Sequence, residues 1–483
     1  MITLLCFASL GLLTHLAFVL HRRYGSFLQL GTLFAAQFAL NYPIRTLVLA
    51  WFGEDALPTY RGLIEDSALF ENAWMQLCGT ISFVLAYELL DWRFPSPLLL
   101  RANRGEMWHD LPQFIAIPYA LSLAAKAYRI ATGNYVSFVL PQNIDMRFAF
   151  LVDSLQMFGF VGLSAVWAML FVRRRLSSSE WTLFIAINLL EFSYQMIQGS
   201  KTYLLLPIFI VALAWHFAKR RLPDVRIAGL TVLALLLVFP FVTSYRRTFT
   251  EYHANAVPRI EKLRAGEIFE DSYQHASERD TTLYKDAMKI SSRFAGTDEL
   301  YNISILVPFV LPYKVGSDFQ AVLLTLIPRA IWTDKPSMAI GGEYGEAIGA
   351  RTSITPFPLG ELYWNLGWLG ILLGMPAWAA VLVGLGRIFD AFCRRASAKW
   401  FVVAVFLGEA YWATTSEGTL PMLLASTIKK LAVYFLLYKV GQACATLAQQ
   451  RRTIPVGGTS ERPSARSTGT LPNLPAPCKV AQR

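Results

Sequence analysis

Charged residues are scarce in this chain. Only 16% of its 483 residues are Asp, Glu, Lys or Arg, while 54% are hydrophobic; soluble domains carry about 25% charged residues. Because charge is costly in a hydrocarbon solvent, this shortage excludes an ordinary soluble protein. Apolar runs recur along the sequence, and a run of about 20 residues is long enough to cross a membrane core about 30 Å thick.

Residue types that bind metals or form disulfides are also sparse. The longest hydrophilic stretch, residues 245–365, contains no cysteine and two histidines, His253 and His275. These histidines lie far apart and outside an HExxH pattern, and the five cysteines of the chain form no CxxC pair. Neither a disulfide framework nor a metal site is therefore expected, and no cofactor is predicted.

The distribution of basic residues predicts the membrane topology. Hydropathy indicates about eleven spans, at residues 2–20, 27–52, 72–90, 111–130, 149–172, 180–198, 203–217, 227–244, 366–386, 400–415 and 420–441. Arginine and lysine clusters follow alternate spans. The positive-inside rule then predicts a multi-pass protein of the bacterial inner membrane with a periplasmic N-terminus and a cytoplasmic C-terminus. Since only helices satisfy their backbone polar groups within one segment, the predicted fold is an all-α helical bundle.

The same pattern divides the chain into four regions. Residues 1–244 form an N-terminal transmembrane bundle of about eight spans, 245–365 a large periplasmic loop, 366–441 about three C-terminal spans, and 442–483 a disordered basic cytoplasmic tail. The formal charge of +11 comes from short loops and from this tail. The lipid bilayer is therefore the expected partner of the basic residues, and nucleic acid is not.

Three short stretches in and after the large loop form recognisable elements. They are Ser292-Arg293-Phe294, then Leu326–Pro336 with the pattern Ile-Pro-Arg-x-Ile-Trp-x-x-Lys-Pro, and finally Gly360–Gly370 with the pattern Gly-Glu-Leu-Tyr-x-Asn-x-Gly-x-x-Gly. Together they resemble the bacterial O-antigen polymerases, the Wzy-type polymerases of oligosaccharide repeat units. The resemblance covers roughly residues 290–375.

This resemblance implies an inverting, metal-independent membrane glycosyltransferase of the broad GT-C kind. Such an enzyme joins undecaprenyl-diphosphate-linked oligosaccharide units on the periplasmic side into surface polysaccharide, whether the O-antigen of lipopolysaccharide, capsule or exopolysaccharide. A chain-length regulator and a flippase are the protein partners it implies. Two alternatives stay open: an O-antigen ligase, and, from a different class, a flippase or transporter of lipid-linked oligosaccharide.

The chemistry of such a transfer predicts arginine residues at the site, because the leaving group is a diphosphate. Release of a diphosphate lipid requires cationic donors, and guanidinium groups bind phosphate through a bidentate fork. Arg293 and Arg329 are the leading catalytic candidates because each lies in a mainly apolar setting, although a salt bridge with a loop carboxylate such as Asp298 is the structural alternative. Further predicted contacts to substrate come from other basic loop residues: Arg246, Lys335 and Arg351. Snorkelling to the interface is the simpler account of Arg246.

The acceptor hydroxyl needs a base, and Glu361 at the start of the ninth predicted span is the best-placed carboxylate. Its alternative role is that of an acid favouring a helix N-terminus. Tyr363 is a candidate to stack on a sugar ring or to join the aromatic belt at the interface. Arg45 lies within an apolar run near Pro43, a predicted kink, and either contacts the diphosphate headgroup or pairs with an acid, as Glu191 is expected to pair with a basic neighbour.

Overall fold

A computed structural model of the chain shows only helices among the residues it describes. The described residues are 1–53 apart from 26 and 28, 65–95, 111–132, 146–172, 176–198, 291–325 apart from 293, 340–349 and 354–395, with isolated positions at 207–215, 288, 327, 332 and 421–446. In chain order the elements are α1 Ile2–Tyr24, α2 Leu30–Ala39, a π-helical segment Leu40–Ile44, α3 Arg45–Phe52, α4 Asp66–Arg93, α5 Leu111–Ala131, α6 Met146–Gln156, α7 Phe158–Val172, α8 Ser178–Gln198, α9 Gly296–Leu306, α10 Ser317–Thr325, α11 Ile340–Ala347 and α12 Phe357–Arg395.

The helical, membrane-type architecture agrees with the sequence. Within the described residues, five helical stretches are long and apolar enough to cross a membrane: Ile2–Tyr24, Leu30–Phe52, Asp66–Arg93, Leu151–Phe171 and Phe357–Ile388. Two more predicted spans, 111–130 and 180–198, coincide with α5 and α8. The predicted spans at 227–244 and 400–415 lie outside the described residues, and those at 203–217 and 420–441 are described only at scattered positions. The number of eleven spans and the orientation of the termini therefore stay predictions.

The second span is interrupted at the predicted kink. Pro43 lies inside the π-helical segment Leu40–Ile44, which joins α2 to α3. Proline has no amide hydrogen, and its ring clashes with the preceding turn. The wider π-helical turn accommodates this ring and leaves carbonyl groups that need other hydrogen-bond donors. Where the sequence predicts a kink, the structure thus has a local site for polar contacts.

The described part of the large loop packs into the bundle. Helix α9 lies against α12, α4 and the π-helical segment. A methyl group added at Gly296 would lie 2.9 Å from the Asn41 carbonyl oxygen and 3.0 Å from the Tyr42 ring. The stretch predicted as a loop region, 245–365, therefore contributes a largely buried helix to the core.

Helix α12 is two helices joined by a sharp corner. Leu366 (φ −143°, ψ 21°) and Gly367 (φ 59°, ψ −139°) leave the helical conformation, and a positive φ of this kind favours glycine. Residues eight apart in a straight helix are about 12 Å apart, yet Gly370 and Gly374 both lie directly against Leu362. A short arm, residues 357–365, therefore doubles back along a long arm, residues 368–395. We call this unit the helical hairpin.

Both arms of the helical hairpin rest on one glycine of α4. A methyl group added at Gly79 would lie 2.9 Å from Leu359 Cδ2 on the short arm and 3.3 Å from Ile371 Cγ2 on the long arm. Real Cβ atoms are almost never found as close as the first of these contacts. The ninth span, predicted to begin at residue 366, thus begins at the corner of a hairpin whose first arm is also buried.

Helices α5 to α8 pack against each other as a second group. In its interior the Lys126 ammonium group pairs with the Glu191 carboxylate. The expectation that Glu191 pairs with a basic neighbour is therefore confirmed. Buried charges in an apolar setting are retained when they are paired in this way.

The close contact at the hairpin gives a stability prediction. Gly370→Ala places a methyl group against the Leu362 backbone carbonyl, so we expect a loss of about 1–3 kcal/mol or more, the usual result of overpacking. Gly384→Ala, on the same long arm with no atom near its added methyl group, should instead be neutral or stabilise by up to about 1 kcal/mol. Denaturation in mixed micelles measures both; equal effects would contradict the hairpin packing.

Candidate functional site

A buried polar cluster is formed by residues of the π-helical segment, α3, α4, α9, α11 and the short arm of the hairpin. We call it the polar core, and its members each expose at most 1% of their surface: Tyr42, Arg45, Thr46, Asn72, Gln76, Thr297, Asp298, Glu299, Tyr344 and Glu361. Such a concentration of buried polar groups in an apolar bundle requires specific partners. The cluster brings together residues that are distant in sequence, including two of the sequence-predicted site residues, Arg45 and Glu361.

Arg45 and Asp298 form a bidentate ion pair at the centre of this cluster. Arg45 Nε donates to Asp298 Oδ2 at 2.8 Å, and Nη2 donates to Oδ1 at 2.9 Å. Nη1 donates to the Ser291 hydroxyl at 3.1 Å. The pairing predicted as an alternative for Arg45 is thus the arrangement observed, and direct contact between Arg45 and a diphosphate would require this ion pair to open.

Thr297 connects α9 to carbonyl groups of the π-helical segment. Its hydroxyl donates to the Tyr42 carbonyl at 3.0 Å, and it accepts from the Gln76 amide at 3.2 Å. Thr46 Oγ1 lies 2.9 Å from Thr297 Oγ1 and accepts from the same amide at 2.9 Å. Thr297 of α9 therefore binds the backbone of the π-helical segment, and Gln76 of α4 holds both threonine hydroxyls, which fixes the position of α9.

Two buried carboxylates, Glu299 and Glu361, lie beside the phenol of Tyr42. The Tyr42 oxygen accepts the Leu359 amide hydrogen at 2.9 Å, and it lies within electrostatic range of both carboxylates. Glu299 accepts a hydrogen bond of 2.5 Å from the Tyr344 hydroxyl. Carboxylates are groups that carry out acid–base chemistry, so this part of the polar core offers chemistry of that kind.

Glu361 occupies a different position from the one expected. It lies inside the short arm with none of its surface exposed, although the sequence predicted it at the mouth of a span. The first turn of α12 contains no acidic residue, and the helix dipole acts only over the first turn. The alternative role as an acid at a helix N-terminus is therefore not favoured by the structure.

The segment that follows α9 holds the end of the short arm. Carbonyl groups at a helix end need donors, and the amides of Lys314 and Val315 donate to the carbonyls of Trp364 and Asn365 at 3.1 Å each. The Asn365 side chain accepts from the Gly316 amide at 2.9 Å and donates to the Glu361 carbonyl at 2.9 Å. The asparagine of the Gly360–Gly370 element therefore supports the corner of the hairpin.

Aromatic residues of the short arm are buried in the protein interior. Trp364 is fully buried, and its indole donates to the Pro312 carbonyl at 3.1 Å. Tyr363 is also buried, so the structure does not place it in an exposed aromatic belt. Nearby, burial raises the pKa of Asp318, an effect that the Lys314 ammonium group opposes.

Five predicted basic and catalytic residues lie outside the described part of the chain: Arg246, Arg293, Arg329, Lys335 and Arg351. Their roles stay predictions. Of the predicted residues that the structure describes, Arg45 and Glu361 belong to the polar core, and Tyr363 follows Glu361 on the same arm. Among the described residues, no group of three or more His, Cys, Asp or Glu could hold a metal ion.

Asn72 is a member of the polar core that sequence reasoning missed. It is fully buried on α4, one turn before Gln76, and within the part of the chain that the structure describes neither of its amide atoms has a hydrogen-bond partner. An unsatisfied buried amide costs about 1–3 kcal/mol. The available signal was an asparagine at the first position of the predicted span 72–90.

The ion pair gives a second stability prediction. Asp298→Ala leaves the buried Arg45 charge without its carboxylate, so we expect a loss of about 3–5 kcal/mol. Replacing Arg45 by Met in the same chain should recover part of this loss, because no uncompensated charge remains.

The control is Glu343→Ala, which removes a half-exposed carboxylate 2.5 Å from Lys314 and should cost less than about 1 kcal/mol. Denaturation in micelles compares all three variants. A loss for Asp298→Ala as small as that of the control would show that the ion pair does not support the fold.

Comparison with known proteins does not assign the chain to a family. No family model, no curated protein and no solved structure matches the chain. The residues of the polar core and the elements around them therefore carry the functional interpretation.

Proposed function

We propose that the protein is a membrane glycosyltransferase that polymerises undecaprenyl-diphosphate-linked oligosaccharide repeat units by inverting transfer at the periplasmic face. The proposal combines the resemblance of three sequence elements to O-antigen polymerases with the chemistry of the polar core. It places the site between α9 and the helical hairpin. The enzyme would need neither a metal nor another cofactor.

The observation that carries the proposal is the contact between α9 and the short arm. Helix α9 follows the Arg293-Phe294 element directly, and the short arm carries the Gly360-Glu361 element. A methyl group added at Gly360 would lie 2.8 Å from Ile303 Cδ1 of α9. Two of the three elements, distant in sequence, are therefore anchored on helices that touch each other, as residues of one catalytic site must be.

The proposed step uses these residues in defined roles. The acceptor hydroxyl oxygen attacks the anomeric carbon of the donor and forms the new glycosidic bond. The bond between that carbon and the diphosphate breaks on the opposite face, and its electron pair leaves with the undecaprenyl diphosphate. The Glu361 carboxylate takes the proton of the hydroxyl, while Arg293 and Arg329 stabilise the charge on the departing diphosphate.

Glu361→Gln tests the base. Glutamine keeps the size of the side chain but cannot accept the proton at neutral pH, so we expect turnover to fall by about 100-fold or more. Glu343→Gln, an exposed carboxylate on the neighbouring α11, should stay close to wild type. Formation of glycosidic bonds by purified protein with lipid-linked oligosaccharide in detergent measures both. Wild-type turnover in Glu361→Gln would remove Glu361 from the mechanism.

Arg293→Ala and Arg329→Ala test the leaving-group contacts. Loss of one preorganised donor should lower turnover by about 100- to 1,000-fold, so cells should carry single repeat units in place of long chains. Arg22→Ala, an exposed arginine near the end of α1, serves as the control.

Membrane levels of each variant must match wild type in this comparison. Normal chain lengths in both loop variants would reject the polymerase. Loss of all surface decoration, rather than loss of length only, would favour the ligase.

One observation favours a second candidate, a flippase or transporter of lipid-linked oligosaccharide. Two apolar stretches are interrupted, at Met157 between α6 and α7 and at Leu366–Gly367 in α12, and transporters place binding sites at broken helices. The buried Lys126–Glu191 pair also lies near the first interruption. Bond formation by purified protein without a gradient or ATP separates the enzyme from a transporter.

A further inference from the structure

A second polar cluster lies in the other helix group, away from the polar core. It is formed by side chains of α5, of the α6–α7 junction and of α8, which we call the second cluster: Lys126, Arg129, Gln156, Glu191, Tyr194 and Gln195. None of these residues takes part in the transfer step proposed above. Ionisable and amide groups at membrane depth are functional-site candidates because they are costly to bury.

The ion pair of the second cluster is built into the backbone of α7. A methyl group added at Gly159 would overlap both the Lys126 ammonium group and the Glu191 carboxylate. The Lys126 ammonium group also lies 5.2 Å from the centre of the Tyr194 ring. The absence of a side chain at residue 159 therefore allows the charged pair to pack directly against α7.

From Tyr194, whose ring contacts this pair, hydrogen bonds and an ion pair lead toward the surface. The Tyr194 hydroxyl donates to Gln156 Oε1 at 3.2 Å, and Arg129 Nη1 donates to the same oxygen at 2.9 Å. Arg129 Nη2 lies 3.2 Å from Asp153 Oδ1, whose side chain is 53% exposed. The second cluster is therefore polar from its buried end to the protein surface.

Gln195 is the member that lacks partners. Only 1% of its surface is exposed, and in the described part of the chain neither its amide nitrogen nor its amide oxygen has a hydrogen-bond partner. It lies one turn after Glu191 on the buried face of α8. Buried amides are almost always hydrogen-bonded, and an exception calls for a ligand or a bound solvent molecule.

We propose that the second cluster binds the sugar hydroxyl groups of a lipid-linked oligosaccharide. An amide offers two donors and two acceptor positions in one plane, and neighbouring hydroxyls of a sugar ring each donate and accept. The carboxylate of Glu191 accepts and the guanidinium of Arg129 donates, so the cluster can meet several hydroxyls at once. The choice of ligand rests on the proposed function, which requires a second saccharide-bearing substrate besides the donor.

The topology agrees with this assignment. The basic loops predict that α8 ends at the periplasmic side, and Gln195 lies in its last turn. The predicted periplasmic side is also where the large loop begins and ends. The second cluster and the polar core would therefore open toward the same face, where one lipid-linked unit attacks another.

The test compares ligand-induced shifts in melting temperature of the full-length protein in detergent. The probes are undecaprenyl-diphosphate-linked oligosaccharide, undecaprenyl diphosphate without sugar, and the free oligosaccharide. The variants are Gln195→Met and Gln195→Leu, two apolar side chains of similar volume. Asn188→Leu is the control, because Asn188 lies on the same helix with both amide ends hydrogen-bonded, to Trp167 and Phe184 at 2.8 Å each.

We expect the sugar-bearing lipid to raise the melting temperature of the wild type more than the sugar-free lipid does. Both Gln195 variants should lose this difference, while their ligand-free melting temperature stays equal or rises because an unsatisfied amide is removed. Asn188→Leu should keep the difference but melt at a lower temperature without ligand. A shift with free oligosaccharide that depends on Gln195 also supports the site and shows that the lipid is not required.

An unchanged sugar-dependent shift in both Gln195 variants would overturn the proposal and leave Gln195 with a bound water only. This failure is distinguishable from failure of the proposed function. A wild-type protein that forms glycosidic bonds while the Gln195 variants bind normally refutes the second cluster alone. A wild-type protein that forms no bonds but shows the Gln195-dependent shift refutes the transferase and keeps the saccharide site.

Discussion

The buried ion pair between Arg45 and Asp298 is the constraint on which the rest of the site depends. The two charges are stabilised in this apolar bundle because the contact is bidentate and Arg45 Nη1 also donates to the Ser291 hydroxyl. The pair fixes α9 against the π-helical segment, and the neighbouring residues Thr297 and Glu299 are thereby placed as well. Helix α9 in turn supports the short arm that carries Glu361, so one electrostatic contact sets the geometry of both carboxylates.

The glycines of the Gly-Glu-Leu-Tyr-x-Asn-x-Gly-x-x-Gly element have separate physical roles. Gly360 allows the short arm to approach Ile303 of α9, Gly367 adopts the positive φ of the corner, and Gly370 lets the long arm pass the Leu362 carbonyl. Asn365 accepts from the Gly316 amide and donates to the Glu361 carbonyl, so it links the short arm to the segment that follows α9. The pattern therefore encodes a buried hairpin, and Glu361 is the residue of the pattern to which we assign a chemical role in the proposed function.

Local properties of this protein were predictable, and long-range pairings were not. Hydropathy predicted the long helices, and the proline pattern located the irregularity at Pro43. The cost of buried charge predicted that Glu191 needs a basic partner. The partner of Arg45 lies 253 positions later in the sequence. No local sequence pattern contains information on a contact over such a separation. The hydropathy pattern also predicts a single span that begins at residue 366. It contains no information that the preceding residues form a second helical arm packed against this span.

The same ion pair has a consequence for biosynthesis. Asp298 lies 253 positions after Arg45, and ribosomes add about 5–20 residues per second, so the arginine waits for about 10 to 50 s before its carboxylate exists. During this interval its guanidinium needs water, lipid phosphate or the insertion machinery as a temporary partner. The second span can therefore reach its final position only after the segment that carries Asp298 has been translated. Maturation of this bundle is then a late event, because the helices are not finished one by one as they insert.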